Sequence, residues 1–108
     1  MTIFDERERA FEQVFVHDAE AHFRALARRN KMLGMWAAEQ IGLKSCEAEA
    51  YVREAVNAVL APDGERRILE KIASDLAHVS PYWTDRRLRE ILGEFMVLAT
   101  EEVRAEVH

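Results

Sequence analysis

Phe4, Phe11, Phe15, His22, Leu26, Leu33 and Trp36 follow one another at spacings of seven, four, seven, four, seven and three residues. An α-helix puts residues so spaced on one narrow face, because a turn takes about 3.6 residues; a strand would scatter them over both of its faces. The spacing predicts one long helix over residues 3–41, with Thr2 and Asp5 forming a capping box and Gly42 as the stop. The opening third of this helix is as amphipathic as the rest.

Punctuation divides the remainder into three further helices. Ser45 is placed to cap a second, which buries Tyr51, Val52, Ala55, Val56 and Val59 before the Pro62-Asp63-Gly64 turn. Ile68, Leu69, Ile72, Leu76 and Val79 form the stripe of a third, ended by Ser80-Pro81 because proline cannot continue the hydrogen-bond ladder. Thr84 caps a fourth, burying Leu88, Ile91, Leu92, Phe95, Ala99 and Val103, with a frayed, charged end over residues 101–108. No strand pattern competes, so the expected fold is all-α: a four-helix bundle over residues 19–108, with a long N-terminal helix whose first part, residues 1–18, is mobile or projecting. Gly34 inside the first helix costs about 1 kcal/mol against alanine, and its missing side chain lets another helix approach.

Length sets the opening segment apart. A helix over residues 3–41 measures roughly 58 Å at about 1.5 Å per residue, against roughly 22 to 30 Å for partners of about fifteen to twenty residues. The overhang leaves Phe4 and Phe11 uncovered, as in a surface that lays an apolar face into a partner's groove. The alternative is a segment folded back on the bundle, its phenylalanines part of the core.

At 108 residues the chain makes one domain. Its formal charge of −5 excludes a protein living on phosphate backbones, and no apolar run approaches the roughly 20 residues of a membrane span, so neither nucleic acid nor membrane insertion is expected. The N-terminus interleaves acids and arginines where a secretory signal would be apolar, so the chain is expected in the cytoplasm. Cys46 is the single cysteine and fits as a small side chain in an early helical turn. His17 and His22, five residues apart, lie on different helical faces, which spoils metal chelation; His22 reads as a core or interface histidine, and His17 as a group whose charge change near neutral pH biases docking. Ser45, Ser74 and Ser80 lack any motif that activates a nucleophile, so no enzyme and no resident cofactor are expected.

A second constellation is basic. Arg24, Arg28 and Lys31 share a helical face at i, i+4 and i+7, with Arg29 on the flank and only Glu20 as internal compensation. It reads either as a solvated face or as an anion site, for acidic side chains of a partner or nucleotide phosphates. Gly34, Gly42, Gly64 and Gly93 are scattered and form no phosphate loop, so any ATP or ADP binding is expected to be weak. Asp85 with Arg89, and Arg86 with Glu90, stand at helical pairing distance.

Certain words of the sequence are distinctive: Phe4-Asp5-Glu6-Arg7-Glu8-Arg9-Ala10-Phe11-Glu12, His17-Asp18, Ala27-Arg28-Arg29-Asn30-Lys31-Met32-Leu33-Gly34-Met35-Trp36-Ala37-Ala38-Glu39 and Gly42-Leu43. On these the chain resembles the zeta inhibitor subunit of the F-type ATP synthase of alpha-proteobacteria, most strongly over residues 4–51 and more loosely beyond residue 61. The resemblance implies a helical bundle whose N-terminal segment enters the interface between an alpha and a beta subunit and wedges the rotor, stopping hydrolysis while synthesis proceeds. It implies Phe4, Asp5, Arg7, Glu8, Phe11, Glu12 and Phe15 as inhibitory contacts. Asp5, Glu6, Glu8 and Glu12 oppose only Arg7 and Arg9, and a short segment bears the nucleation cost of a helix alone, so this one is expected to be largely disordered or fraying when free and helical when bound. Val14 and Val16 depart from the pattern, standing where more polar residues are expected. The implied partners are the alpha, beta and gamma subunits, met by a monomer at the periphery of the inner-membrane enzyme. The alternative implied function is a non-inhibitory module that associates with the synthase and weakly binds nucleotide.

Overall fold

The computed structural model describes residues 19–107, and side chains over residues 19–106. The expectations for Thr2, Asp5, His17 and the reach of the first helix over residues 3–18 lie outside the described residues. Within them the chain is all-helical, without a strand: α1 Ala19–Ile41, α2 Ser45–Asn57 continuing into a 3-10 turn at Ala58–Leu60, α3 Gly64–Ala77 and α4 Asp85–Val107.

α1 is the element against which the others pack, lying along both α2 and α4 and touching α3. Its buried face starts with Ala21, Ala25 and Arg29 and passes through Asn30 and Leu33 to Gly34, Ala37 and Ala38. The first two alanines cluster with Val103 of α4 and the half-buried Met96. The later residues join the main core, built from Leu33, Ala37, Tyr51, Ala55, Ile68, Leu69, Ile72, Leu76, Leu88 and Ile91. An ideal Cβ on Gly34 would stand 3.0 Å from Val52 Cα and 3.1 Å from Ala55 Cβ, so the missing side chain does admit α2. Trp36 meets Trp83, just before α4, edge to face at 5.0 Å between ring centroids.

α1 stops as expected. Gly42 takes φ +89°, and its N–H donates to Glu39 O at 3.2 Å while Leu43 N donates to Ala38 O at 2.9 Å, the paired bonds of a Schellman motif. Thr84 also caps as expected, its Oγ1 accepting from Arg87 N at 3.2 Å.

Other expectations are corrected. Ser45 does not cap α2: it is the first helical residue, at φ +53°, and the cap position belongs to an extended Lys44 with no side-chain bond. Val52, Val56, Val59, Leu92 and Phe95 are half-buried. α3 ends at Ala77, so Val79 falls beyond the helix and is 51 % exposed. His22 is exposed, so the core half of its core-or-interface reading is corrected: α1 turns Ala21 and Ala25 toward α4 in its place. α2 and α3 are short, 13 and 14 residues, while α4 runs 23 residues through the end expected to fray. Val103 packs that end down, fully buried against α1.

Candidate functional site

The basic constellation sits where α1 begins, against the last turns of α4. Arg28 Nη1 lies 2.5 Å from Glu106 Oε1 and 3.6 Å from Glu102 Oε1, and Arg24 Nη2 lies 3.8 Å from Glu106 Oε2. The carboxylates answer the arginines in register, since Glu102 and Glu106 are spaced i, i+4 like Arg24 and Arg28. The hydrogen bond from Arg28, then its charge, holds the Glu106 carboxyl below the ordinary glutamate value; the same hydrogen bond raises the Arg28 guanidinium. Lys31 continues the face, exposed and without an ion pair among the described residues.

Arg29 does something else. Only 7 % exposed, it donates from Nε to Asn30 Oδ1 at 3.1 Å and pairs through Nη2 with Glu65 Oε1 at 2.8 Å. Asn30, 1 % exposed, donates from Nδ2 to Ala55 O at 2.8 Å. The two side chains therefore tie α1 to the last turn of α2 and the first turn of α3, and the place of Arg29 on a solvated flank is corrected. A buried guanidinium is tolerated only with such partners. Arg24 and Arg28 thus face the end of α4, with Lys31 exposed one turn further on, while Arg29 points inward.

Phe4, Asp5, Arg7, Glu8, Phe11, Glu12 and Phe15 lie outside the described residues. Sequence reasoning missed Glu102, Glu106, Asn30 and Glu65; the matched i, i+4 spacing of the Glu102–Glu106 and Arg24–Arg28 pairs was the signal available for the first two.

Elsewhere, Tyr51 Oη donates to Asp75 Oδ2 at 2.8 Å, and burial, then Asp75, pushes the phenol far above its ordinary value. Lys71 stands over the same ring, 5.4 Å from its centroid, and 3.8 Å from Glu54. An open, mostly apolar groove between the end of α1 and α2 is lined by Met35, Ala38, Leu43, Ala48 and Val52 together with Glu39, Glu49 and Arg53. At the fourth helix Arg86 and Arg87 both reach Glu90, at 3.7 and 3.1 Å, while the expected pair of Asp85 with Arg89 is not formed. Among the described residues no group of three or more His, Cys, Asp or Glu side chains is arranged to hold a metal ion, and no helix is long and apolar enough to cross a membrane.

Comparison with known proteins adds one finding. No curated protein matches the chain. A family model described as ATPase inhibitor subunit zeta matches residues 1–102.

Proposed function

The chain belongs to the ATPase inhibitor subunit zeta family, and from that premise we propose that it blocks ATP hydrolysis by an F-type ATP synthase by inserting residues 1–18 at a catalytic interface between an alpha and a beta subunit. The observation that carries this reading is the span of the family match, residues 1–102, which takes in the whole opening segment together with α1 to α3 and most of α4.

In this reading α1 to α4 form the four-helix bundle that docks and positions the segment. Phe4, Phe11 and Phe15 are its apolar anchors, sharing one helical face, and Asp5, Arg7, Glu8 and Glu12 set its register through ion pairs with the partner. The segment acts by occupancy: a helix lodged between two nucleotide-binding subunits wedges the gamma rotor, so that hydrolysis stops while synthesis proceeds. Nothing in this role calls for a nucleophile, a metal or a cofactor of the chain's own, and the protein works in the cytoplasm at the periphery of the membrane enzyme.

The test is placement. A photoreactive residue replacing Phe11 in the full chain, illuminated with the catalytic complex during hydrolysis, should form adducts with the alpha and beta subunits. Adducts confined to other subunits would overturn insertion at that interface.

A further inference from the structure

We propose that the last turns of α4 are a displaceable strap over the basic face of α1, latched by Glu102 and Glu106 to Arg24 and Arg28, and that displacing the strap opens this face to a carboxylate-bearing helix of a protein partner. The inference concerns the described helices alone and stands apart from whether residues 1–18 inhibit.

Packing is the first support. The main core joins α1 to α2, α3 and the first turns of α4, whereas the last turns of α4 rest on a separate cluster of Ala21, Ala25 and Val103, with Met96 against it. Among the described residues the clustered apolar side chains that hold this end to α1, Ala21, Ala25, Val103 and Met96, are fewer and smaller than those around Leu88 and Ile91, although Ala99, Thr100 and Val103 are themselves buried. Regions with few buried contacts open locally, at a lower free energy than the whole domain.

The latch is the second support. Arg24 and Arg28 side chains are 45 % and 29 % exposed, and Glu102 and Glu106 53 % and 43 %. Water and salt reach all four, so the pairs hold the strap modestly and weaken as ionic strength rises.

The occupant's chemistry is the third. The face is already filled by a helix offering glutamates at i, i+4, one turn apart, which is the geometry Arg24 and Arg28 accept. Lys31, one turn further along and exposed, gives a competing acidic helix a third cation that the strap does not use. A partner helix with acidic residues on three successive turns therefore gains a contact in exchange for displacing α4.

Amide hydrogen exchange on the full chain tests the strap, with the E102Q/E106Q variant and with the native protein in low and high salt. Amides of Val103 to Glu106 should exchange roughly threefold to tenfold faster in the variant and in high salt, as expected for losing exposed pairs, with Ile72 and Leu76 unchanged. A helical oligoglutamate peptide with acids at i, i+4 and i+7, titrated at low salt, should bind E102Q/E106Q more tightly than the native chain and R24Q/R28Q not at all. Strap amides that exchange only with Ile72 and Leu76 would overturn the proposal, as would peptide binding that does not strengthen in E102Q/E106Q. The high-salt arm reads the native sequence and decides the exchange question even if a variant fails to fold.

Discussion

Asn30 of α1 donates from Nδ2 to the main-chain oxygen of Ala55, 2.8 Å away in the last turn of α2, and its Oδ1 accepts from the buried guanidinium of Arg29. One amide thus satisfies two buried groups. Replacing Asn30 with alanine takes the side-chain donor from Ala55 O and leaves the Arg29 guanidinium with Glu65 as its remaining partner, and should cost roughly 1 to 3 kcal/mol. Urea unfolding would read this as a lowered midpoint at unchanged slope.

Gly34 and Gly93 both lie inside long helices, yet their alanine variants should shift stability in opposite directions. A methyl group on Gly93 meets nothing within 4 Å, so Gly93→Ala should gain about 1 kcal/mol of helix propensity. On Gly34 it presses on Val52 Cα, a backbone atom that cannot swing aside, and overpacking should outweigh that gain for a net loss of roughly 1 kcal/mol. Paired thermal melts decide it.

Tyr51 and Asp75 link α2 to α3. Tyr51→Phe keeps the ring and leaves the Asp75 oxygen short of a donor, which should cost roughly 1 to 2 kcal/mol. The folded phenol titrates above its unfolded value, so its contribution is whole below pH about 10 and is lost as pH rises through the folded value. Native protein should therefore lose stability above pH about 10 more steeply than Tyr51→Phe.

Acid should loosen the end of α4. The Glu106 carboxyl is held below its ordinary value by Arg28, so its contribution is present above that value and disappears as pH falls through the lowered one. Exchange of the Val103 to Glu106 amides, corrected for intrinsic rates, should stay level from pH 7 to about 5 and rise below about 4. In Glu106→Gln that rise should be smaller.

What the sequence made legible was local chemistry. Gly42, Thr84 and the apolar spacing of Leu33, Ile68, Ile72 and Leu88 act within a turn or two of themselves, so the helix stop, the cap and the main core could be read from neighbours alone. Arg24, Arg28 and Arg29 could not be sorted the same way. A helical wheel sets Arg29 about 100° round from Arg28, but only the tertiary arrangement, with α4 on one side and the junction of α2 and α3 on the other, makes Arg24 and Arg28 a latch and Arg29 a buried strut. His22 misled for a related reason: α1 shows different faces to different partners along its length, and one continuous stripe cannot describe both. Ser45 was read by residue type, but the chain enters α2 through a left-handed backbone at that position, leaving the cap to Lys44.

The central claim is that residues 1–18 stop ATP hydrolysis while ATP synthesis proceeds. ATP hydrolysis and ATP synthesis by the F-type complex, titrated with the full chain and with a full-length F4A/F11A/F15A variant, test it most directly. Inhibition of hydrolysis by the native chain, with synthesis retained and with the variant ineffective, is the predicted result. Hydrolysis unaffected by the native chain, or inhibited equally by both proteins, would contradict it.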